Sequence, residues 1–209
     1  MHPGIAVGAD GLARCAWSVA SADYTTYHDD EWGRPVRGDA EVFERISLEA
    51  FQSGLSWLTI LRKREAFRTA FAGFRPVDVA AFDERDIDRL MGDPGIVRNR
   101  RKIVATIGNA RAILAFLDAA GPGALDAMFW SFAPRVRTPL AAGTPVPAST
   151  DESRALSDSL KRMGLTWVGP TTMYAAMQAC GLVDDHVAGC LRSTASSAQI
   201  TEVPAGDGP

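Results

Sequence analysis

Cysteine and histidine residues form two pairs, one near each end of the chain, and this placement constrains the fold more than any other feature. Cys15 precedes His28 in the N-terminal segment. His186 precedes Cys190 by four positions near the other end. Two thiolates and two imidazoles form a ligand set that tetrahedral zinc favours. If all four bind one ion, the two ends of the chain must lie side by side, and four protein ligands make the site structural.

The spacing of the two pairs leaves a second interpretation open. On a helix, residues four positions apart lie on one face, so His186 and Cys190 would point to the same ion. Neither pair has the spacing of a compact zinc finger, however, and buried cysteines with hydrogen-bonded histidines would give the same pattern. The third cysteine, Cys180, lies on the apolar face of a predicted helix and is interpreted as a core residue.

The composition is that of a globular protein with one domain. The chain has 209 residues, of which 46% are hydrophobic and 22% charged, and this length suits one domain of two lobes over residues 13–191. The flanking residues 1–12 and 192–209 are predicted to be flexible. Three cysteines do not make a disulfide framework, which favours a reducing, cytoplasmic setting. Without an apolar run of about 18 residues or a secretory signal at the N-terminus, we predict no contact with a membrane.

Apolar residues recur with the period of an α-helix along most of the chain, and alternating strand patterns are scarce, so we predict an all-α fold. Asp39 is predicted to cap one of these helices, and Ser149 with Glu152 has the capping-box spacing that predicts the start of another. Pro170 is predicted to begin the last helix. The other predicted helices cover residues 55–61, 66–71, 103–117 and 125–132.

A glycine-containing segment between two predicted helices, residues 90–96, is a candidate DNA contact. Backbone N–H groups in a tight turn before a helix point toward an anion, and Gly95 allows a close approach to phosphate. The cations Arg98, Arg101 and Lys102 follow, which is typical of a helix-hairpin-helix element that holds DNA without reading its sequence. An ordinary corner between two helices would give the same pattern. The net charge of −3 argues only against binding by bulk electrostatics.

Aromatic and acidic residues are concentrated between residues 17 and 57. The aromatic residues of interest are Trp17, Tyr24, Tyr27, Trp32 and Trp57. Aromatic rings stack on nucleobases, and their electron-rich faces attract positive charge, so such a group is suited to a flat cationic base. Glu49 lies among apolar helix residues and points either to solvent or into a pocket. Taken singly, each aromatic residue is equally explained as part of the core.

Taken together, these motifs resemble the bacterial 3-methyladenine DNA glycosylase I family. The resemblance covers about residues 13–190 and is carried by Arg14-Cys15-Ala16-Trp17, Tyr27-His28-Asp29-Asp30-Glu31-Trp32-Gly33, Leu48-Glu49, Gly54-Leu55-Ser56-Trp57, Ile107-Gly108-Asn109-Ala110-Arg111, Phe129-Trp130-Ser131-Phe132 and Met177-Gln178-Ala179-Cys180-Gly181-Leu182-Val183-Asp184-Asp185-His186-Val187-Ala188-Gly189-Cys190. It implies the helix-hairpin-helix glycosylase fold, with a zinc site that joins the N- and C-terminal segments.

The resemblance also implies roles for individual residues. The zinc ligands would be the four residues Cys15, His28, His186 and Cys190. Glu49 would contact the adenine edge, with Tyr27 beside it and Trp57 stacked on the base. The same aromatic region would include Trp17, Tyr24 and Trp32.

The implied reaction is hydrolysis of the N-glycosidic bond of a flipped 3-methyladenine in double-stranded alkylated DNA. Nothing in the sequence suggests more than a monomer, so we expect a monomer. The resemblance implies no catalytic aspartate after the hairpin, and we find no lysine placed as a Schiff-base nucleophile. We therefore expect a monofunctional enzyme that leaves an abasic site without cutting the strand. One departure from the family pattern is Pro94, which removes a backbone N–H from the hairpin.

Two other classes of function remain as alternatives. A DNA-binding module without catalysis would keep the hairpin and the zinc site but would not need Glu49 and its aromatic neighbours. A zinc hydrolase would need an open metal position, and four protein ligands argue against one.

Overall fold

The computed structural model describes residues 4–136 and 139–193, and most of them are helical. In chain order the helices are α1 Ala22–Asp30, α2 Asp39–Gln52, α3 Trp57–Ala70, α4 Pro76–Ala80, α5 Glu84–Gly92, α6 Arg100–Ala120, α7 Ala124–Trp130, α8 Asp151–Arg162 and α9 Pro170–Ala179. Short 3₁₀ turns cover Ala16–Ala20 and Ala72–Phe74. The predicted start of the last helix at Pro170 is confirmed.

A small antiparallel hairpin corrects the all-α prediction. Strands β1 Ile5–Val7 and β2 Ala13–Cys15 pair, with Ile5 opposite Cys15. Residues 5–7 therefore have regular structure, although the sequence suggested a flexible segment there. The N–H of Leu191 donates to the carbonyl of Ala13 at 2.9 Å, so the C-terminal segment lies against this hairpin. A short pairing of this kind leaves too few alternating residues to be seen as a strand pattern.

Helix α3 is continuous where the sequence suggested two short helices. Ser56 caps its first turn by accepting from the N–H of Thr59 at 3.3 Å. The charged residues 62–65 look like a break because they interrupt the apolar pattern. They contain no glycine or proline, however, and helical residues on the outer side of a helix are expected to be polar.

The capping box of α8 is shifted by one residue from its predicted position. The hydroxyl of Thr150, not that of Ser149, accepts from the N–H of Ser153 at 3.3 Å. In return, the Ser153 hydroxyl accepts from the N–H of Thr150 at 2.9 Å. Ser149 and Thr150 are both good capping residues, and sequence spacing alone does not separate them.

Asp39 caps a different helix from the one predicted. It is the first residue of α2 rather than its cap, and its carboxylate accepts from the N–H groups of Gly123 at 2.7 Å and Asp126 at 3.0 Å, at the start of α7. The Asp126 carboxylate in turn accepts from the N–H of Gly38 at 3.0 Å. A carboxylate at the start of each helix therefore accepts from unpaired backbone N–H groups at the start of the other.

Helix α2 runs through the centre of the core. Every residue from Val42 to Phe51 is buried, and it packs against α3, α6, α7 and α9. A helix buried on all sides is expected to be apolar all round. Glu44, Arg45 and Glu49 are exceptions, because they are charged and yet buried, and Glu49 is only 5% exposed.

Helix α6 is long and apolar enough, by length and composition, to cross a membrane. Its contacts assign it instead to the core of this fold. Ile103, Ala110 and Ile113 are fully buried, and the helix packs against α4, α5 and α7.

The reciprocal caps predict a stability effect. Asp39→Ala removes the acceptor for two N–H groups of α7, and we expect it to lower the free energy of unfolding by about 1–2 kcal/mol in urea denaturation. Asp118→Ala, which removes an exposed carboxylate from α6, is the matched control and should change little. Equal effects of the two substitutions would contradict this account of the α2–α7 junction.

Candidate active site

A cavity of about 260 Å³ opens beside α2 and gathers the residues that the sequence singled out for base binding. The residues of that set that line it are Trp17, Tyr24, Tyr27, Trp32, Glu49 and Trp57. They come from the first 3₁₀ turn, α1, α2, α3 and the turn after α1. A mostly apolar cavity with a few inward polar groups is the usual form of a small-ligand site.

The carboxyl group of Glu49 lies in this cavity without an internal partner. Among the described residues we find no hydrogen bond or ion pair of its side chain. Burial raises the pKa of the Glu49 carboxyl to about 8, and the charge of the nearby Arg45 guanidinium opposes the rise. A carboxyl group that is buried, unpaired and shifted toward neutral pH is typical of a functional site.

Two aromatic side chains form the wall next to Glu49. The ring centroids of Tyr27 and Trp57 are 5.5 Å apart, in a tilted arrangement. Burial raises the pKa of the Tyr27 hydroxyl well above its usual range, so this hydroxyl stays protonated. The indole N–H of Trp57 is buried without a hydrogen-bond partner. The Tyr27 hydroxyl is therefore able to donate to a ligand, whereas the indole N–H of Trp57 has no accessible surface in the free protein.

Tyr24 and Trp17 complete the aromatic lining. The hydroxyl of Tyr24 accepts from the backbone N–H of Leu58 at 3.1 Å, which joins α1 to the start of α3. The rings of Trp17 and Tyr24 meet edge to face at 5.6 Å. The lining is therefore held by contacts among its own members before any ligand binds.

Five further residues line the cavity that the sequence did not single out, namely Gln52, Leu55, Ser56, Ala175 and Gln178. The side-chain amide of Gln178 donates to Asp185 at 2.6 Å, which fixes its orientation. Leu55 is 43% exposed and follows Gly54, whose φ of 84° requires glycine. Leu55 and Gln178 lie in the motifs that carry the family resemblance, which was the signal available for finding them.

The two ends of the chain meet at a buried cluster of Cys15, His28 and Cys190. One ligand atom of each lies within 4.8 Å of the others, a spacing that suits a metal ion. The Sγ atom of Cys190 and Nε2 of His28 are 3.3 Å apart. Hydrogen bonding from Cys15 and the nearby His28 lowers the pKa of the Cys190 thiol, so one sulfur ionises readily, as metal binding requires.

His186 lies beside this cluster but outside its 4.8 Å group. Its ring centroid is 5.2 Å from that of His28. Its Nδ1 atom pairs with Asp184 at 2.9 Å, and its Nε2 atom is buried without a hydrogen-bond partner. An imidazole nitrogen left in this state is suited to a fourth ligand position.

The segment from His186 to Cys190 is a turn, which corrects the helical geometry expected from its spacing. Backbone bonds to Leu140 replace the helical ones: Leu140 N–H donates to the carbonyl of His186 at 3.1 Å, and Ala188 N–H donates to that of Leu140 at 2.8 Å. Gly189 then adopts a φ of 91°, which a helix does not allow.

Carboxylates hold both histidine rings in the orientation that a metal site needs. Asp29 pairs with Nδ1 of His28 at 2.8 Å, and Asp184 does the same for His186. Asp29 is itself held by the buried guanidinium of Arg14, which lies 2.7 Å away. Histidines that ligate metals commonly make this second bond to a carboxylate. The donor set and its surroundings therefore fit a bound metal ion.

The cluster and the cavity share two aromatic residues. The ring of Trp32 lies 4.7 Å from that of His186, and the ring of Trp17 lies 5.5 Å from that of His28. Both tryptophans also line the cavity. The contact between the chain ends thus supports one wall of the pocket.

The expected hairpin connects α5 to α6 through residues 93–99. The N–H of Gly95 donates to the carboxylate of Asp93 at 2.7 Å, so this amide already has an acceptor inside the hairpin. Arg98 and Arg101 are exposed, and neither forms an ion pair within the described residues. These two cations are therefore available at the end of the hairpin.

Lys102 does not project from the hairpin surface as the sequence suggested. It is only 5% exposed, and its Nζ atom donates to the carbonyls of Phe51 at 2.9 Å and Ser53 at 2.6 Å. It donates to backbone carbonyls at the C-terminal end of α2, where carbonyl groups lack partners within the helix. A run of basic residues at a helix start does not reveal which side chain turns inward. The inward position of Lys102 corrects the phosphate contact that the sequence suggested.

Residues 17–193 match the methyladenine glycosylase family. The chain belongs to that family. DNA-3-methyladenine glycosylase 1 of Escherichia coli (strain K12) is 48% identical over 182 residues, which cover 86% of this chain and 96% of that protein. A crystal structure of 3-methyladenine DNA glycosylase I has a TM-score of 0.79 at 44% identity and covers 86% of this chain and 99% of the other.

A second solved structure in the methyladenine glycosylase family contains a ligand. It is a variant of 3-methyladenine DNA glycosylase I in complex with 3-methyladenine, with a TM-score of 0.78 at 34% identity, and it covers 85% of this chain and 96% of the other. The family match includes Glu49 and the five aromatic residues of the cavity. Cys15 lies just before its first residue.

The unpaired carboxyl group of Glu49 predicts a pH-dependent stability. Its pKa in the folded chain is above its ordinary value of 4.5, so folding takes up a proton between these values and stability falls as pH rises through that window. The cost accumulates at no more than about 1.4 kcal/mol per pH unit. Glu49→Gln removes it.

We therefore expect the advantage in unfolding free energy of Glu49→Gln over the wild type to grow between about pH 5 and about pH 8. Urea denaturation at several pH values measures it. Glu41→Gln, which changes an exposed residue of the same helix, is the control and should track the wild type. An advantage of Glu49→Gln that does not change with pH would contradict a buried, ionisable Glu49.

Proposed function

We propose that this protein is a DNA-3-methyladenine glycosylase, which hydrolyses the N-glycosidic bond of 3-methyladenine in alkylated double-stranded DNA and leaves an abasic site. The observation that carries the proposal is the unpaired Glu49 carboxyl in a cavity walled by aromatic rings. Membership of the methyladenine glycosylase family supports it, as does the relative that was solved with 3-methyladenine. The proposed setting is the cytoplasm, and the proposed state is a monomer.

The cavity suits a cationic purine better than a neutral one. Methylation at N3 gives the adenine of a nucleotide a positive charge, which the faces of Tyr27 and Trp57 attract by about 0.5–2 kcal/mol per ring. The Glu49 carboxylate accepts from the adenine edge and pairs with this charge. Normal adenine gains neither electrostatic contribution, so the pocket discriminates by charge as well as by shape.

Charge also explains how little additional catalysis the reaction needs. The base leaves as a neutral molecule once the N-glycosidic bond breaks, and water adds to the sugar. In the transition state positive charge develops on the sugar, and an ionised Glu49 nearby stabilises it. No lysine lines the cavity within the described part of the chain, and this supports a monofunctional reaction without strand cleavage.

The DNA-binding role proposed for the hairpin now rests on Gly95, Arg98 and Arg101. The two exposed arginines contact phosphates, and the bend at Gly95 brings the backbone close to the duplex. The nucleotide then rotates out of the stack into the cavity, which costs a few kcal/mol and less for a damaged base. Lys102 contributes indirectly, by fixing the end of α2.

We propose that Cys15, His28, Cys190 and His186 hold one structural zinc ion. The first three already cluster, and the buried Nε2 atom of His186 lacks another partner. Zinc favours this set of two thiolates and two imidazoles, and four protein ligands leave no position for a hydrolytic water. The ion would join the chain ends and take no part in the chemistry.

Metal analysis of the purified protein tests the zinc proposal. We expect about one zinc per chain, and we expect the Cys15→Ser, Cys190→Ser double variant to lose both the metal and several kcal/mol of stability. Cys180→Ser alters a buried cysteine outside the cluster and should retain the metal. A metal-free wild type that is as stable as the double variant would refute the site.

Release of free base from DNA treated with a methylating agent tests the proposed activity. We expect the wild type and the control Glu41→Gln to release 3-methyladenine, and Glu49→Gln to be slower by about 10-fold or more. Equal rates for all three would leave the activity but remove the role of Glu49. A folded wild type that binds DNA but releases no base would favour the alternative of a binding module.

The pH profile of the same reaction separates the charge of Glu49 from its shape. If the ionised carboxyl pairs with the cationic base, kcat/KM should rise with pH through the pKa of about 8 that burial gives Glu49. Glu49→Gln keeps the shape without the charge and should show no rise in this range. A rise of the same size in both proteins would assign the titration to another group.

A further inference from the structure

An exposed tryptophan outside the cavity has a strained backbone. Trp167 has a φ of 61°, a conformation that residues with side chains rarely adopt. Within residues 4–136 and 139–193, the other non-glycine residues with positive φ are Ala72 and Phe74. Phe74 is fully buried, whereas Trp167 remains 37% exposed. Packing of the side chain therefore explains the backbone of Phe74 but not that of Trp167.

Buried side chains hold the backbone on both sides of Trp167. The amide of Asn109 on α6 donates to the carbonyl of Thr166 at 3.0 Å and accepts from its N–H at 2.8 Å. The hydroxyl of Ser157 on α8 donates to the carbonyl of Val168 at 2.6 Å. Strained residues persist where their surroundings fix them in this way, and such residues cluster at functional sites.

The indole ring of Trp167 lies near Lys102, and Lys102 contacts the loop at the cavity mouth. The Nζ atom of Lys102 is 5.3 Å from the ring centroid, and the same atom donates to the carbonyl of Ser53. Ser53 begins the loop that carries Leu55 at the cavity mouth. Lys102 also follows Arg101 at the start of α6. Lys102 thus connects the Trp167 ring to both the hairpin end and the cavity mouth.

We propose that Trp167 is a DNA-contact residue, which stacks on a base of the duplex next to the flipped nucleotide. The exposed ring, the strained and doubly held backbone, and the connection through Lys102 to the cavity mouth all support this role. Asn109 and Ser157 are positioning residues that hold the backbone on either side of Trp167. The inference rests on the proposed function, because a flipped nucleotide requires a DNA substrate.

Stacking on DNA predicts a specific loss of affinity when the ring is removed. Stacking between an aromatic side chain and a base changes binding by about 5- to 160-fold. Trp167→Gly removes the ring and also suits a positive φ, so the backbone keeps its conformation. Trp167→Phe keeps an aromatic face. Val77→Ala removes an exposed apolar side chain on α4 and is the matched control.

The experiment measures binding of each protein to a duplex with one tetrahydrofuran abasic-site analogue, and binding to free 3-methyladenine. We expect Trp167→Gly to weaken duplex binding by about 10-fold with unchanged free-base binding, and Trp167→Phe to restore most of the affinity. Unchanged duplex binding by Trp167→Gly would overturn the proposal. A parallel loss of duplex and free-base binding would also overturn it, because that result indicates a structural role.

Base release by the wild type separates this inference from the proposed function. If the wild type releases no 3-methyladenine from methylated DNA, the proposed function fails. If it does release the base and Trp167→Gly is equally active at low enzyme concentration, only the role of Trp167 fails.

A double-mutant cycle tests the positioning role of Ser157. Ser157→Ala should weaken duplex binding when Trp167 is present and add nothing to Trp167→Gly, because the ring it positions is gone. Losses that add in full would show that Ser157 acts on DNA binding without Trp167.

Discussion

The contact between the two ends of the chain is the constraint on which the rest of the structure depends. Cys15 comes from a short hairpin, His28 from α1 and Cys190 from the C-terminal turn, yet their ligand atoms form one buried cluster. His28 and His186 also pack against Trp17 and Trp32, which line the cavity. Without this junction, one wall of the cavity would have no support from the C-terminal segment.

The cavity contains a buried residue, Glu49, that lowers the stability of the free protein. Glu49 occupies a position in α2 where an apolar residue would be more stable, since a buried carboxyl without a partner costs free energy. A cationic base would supply the missing partner. The same feature therefore weakens the free protein and favours the charged ligand over its neutral counterpart, in the way that stability is often lost at functional sites.

Much of this organisation is readable from the sequence, because it depends on periodicity and residue type. The helical period predicted most of the helices, and Pro170 marked the start of α9. The six cavity residues are distant in sequence, and their motifs were recognisable only as a set. The spacing of His186 and Cys190 wrongly predicted a helix, because their conformation is set by residues far away in the sequence. The turn that carries them is held by backbone hydrogen bonds to Leu140, which no local pattern indicates.

The sequence also did not predict the direction in which individual side chains point. Lys102 and Arg101 are adjacent cations at the start of α6, but one turns inward to the end of α2 while the other stays exposed. Asp39 likewise had the right residue type for a cap and served a different helix. No sequence pattern singled out Trp167, because its strained backbone is held by hydrogen bonds from side chains on α6 and α8.

The junction of the chain ends supports one wall of the cavity that we propose binds the base. Calorimetric titration of free 3-methyladenine into the protein, before and after a chelator removes the proposed zinc ion, tests this role of the junction, with circular dichroism to confirm that the helices persist. We expect a clear loss of affinity in the extracted protein and recovery when zinc is restored. Equal affinity before and after verified extraction would contradict it.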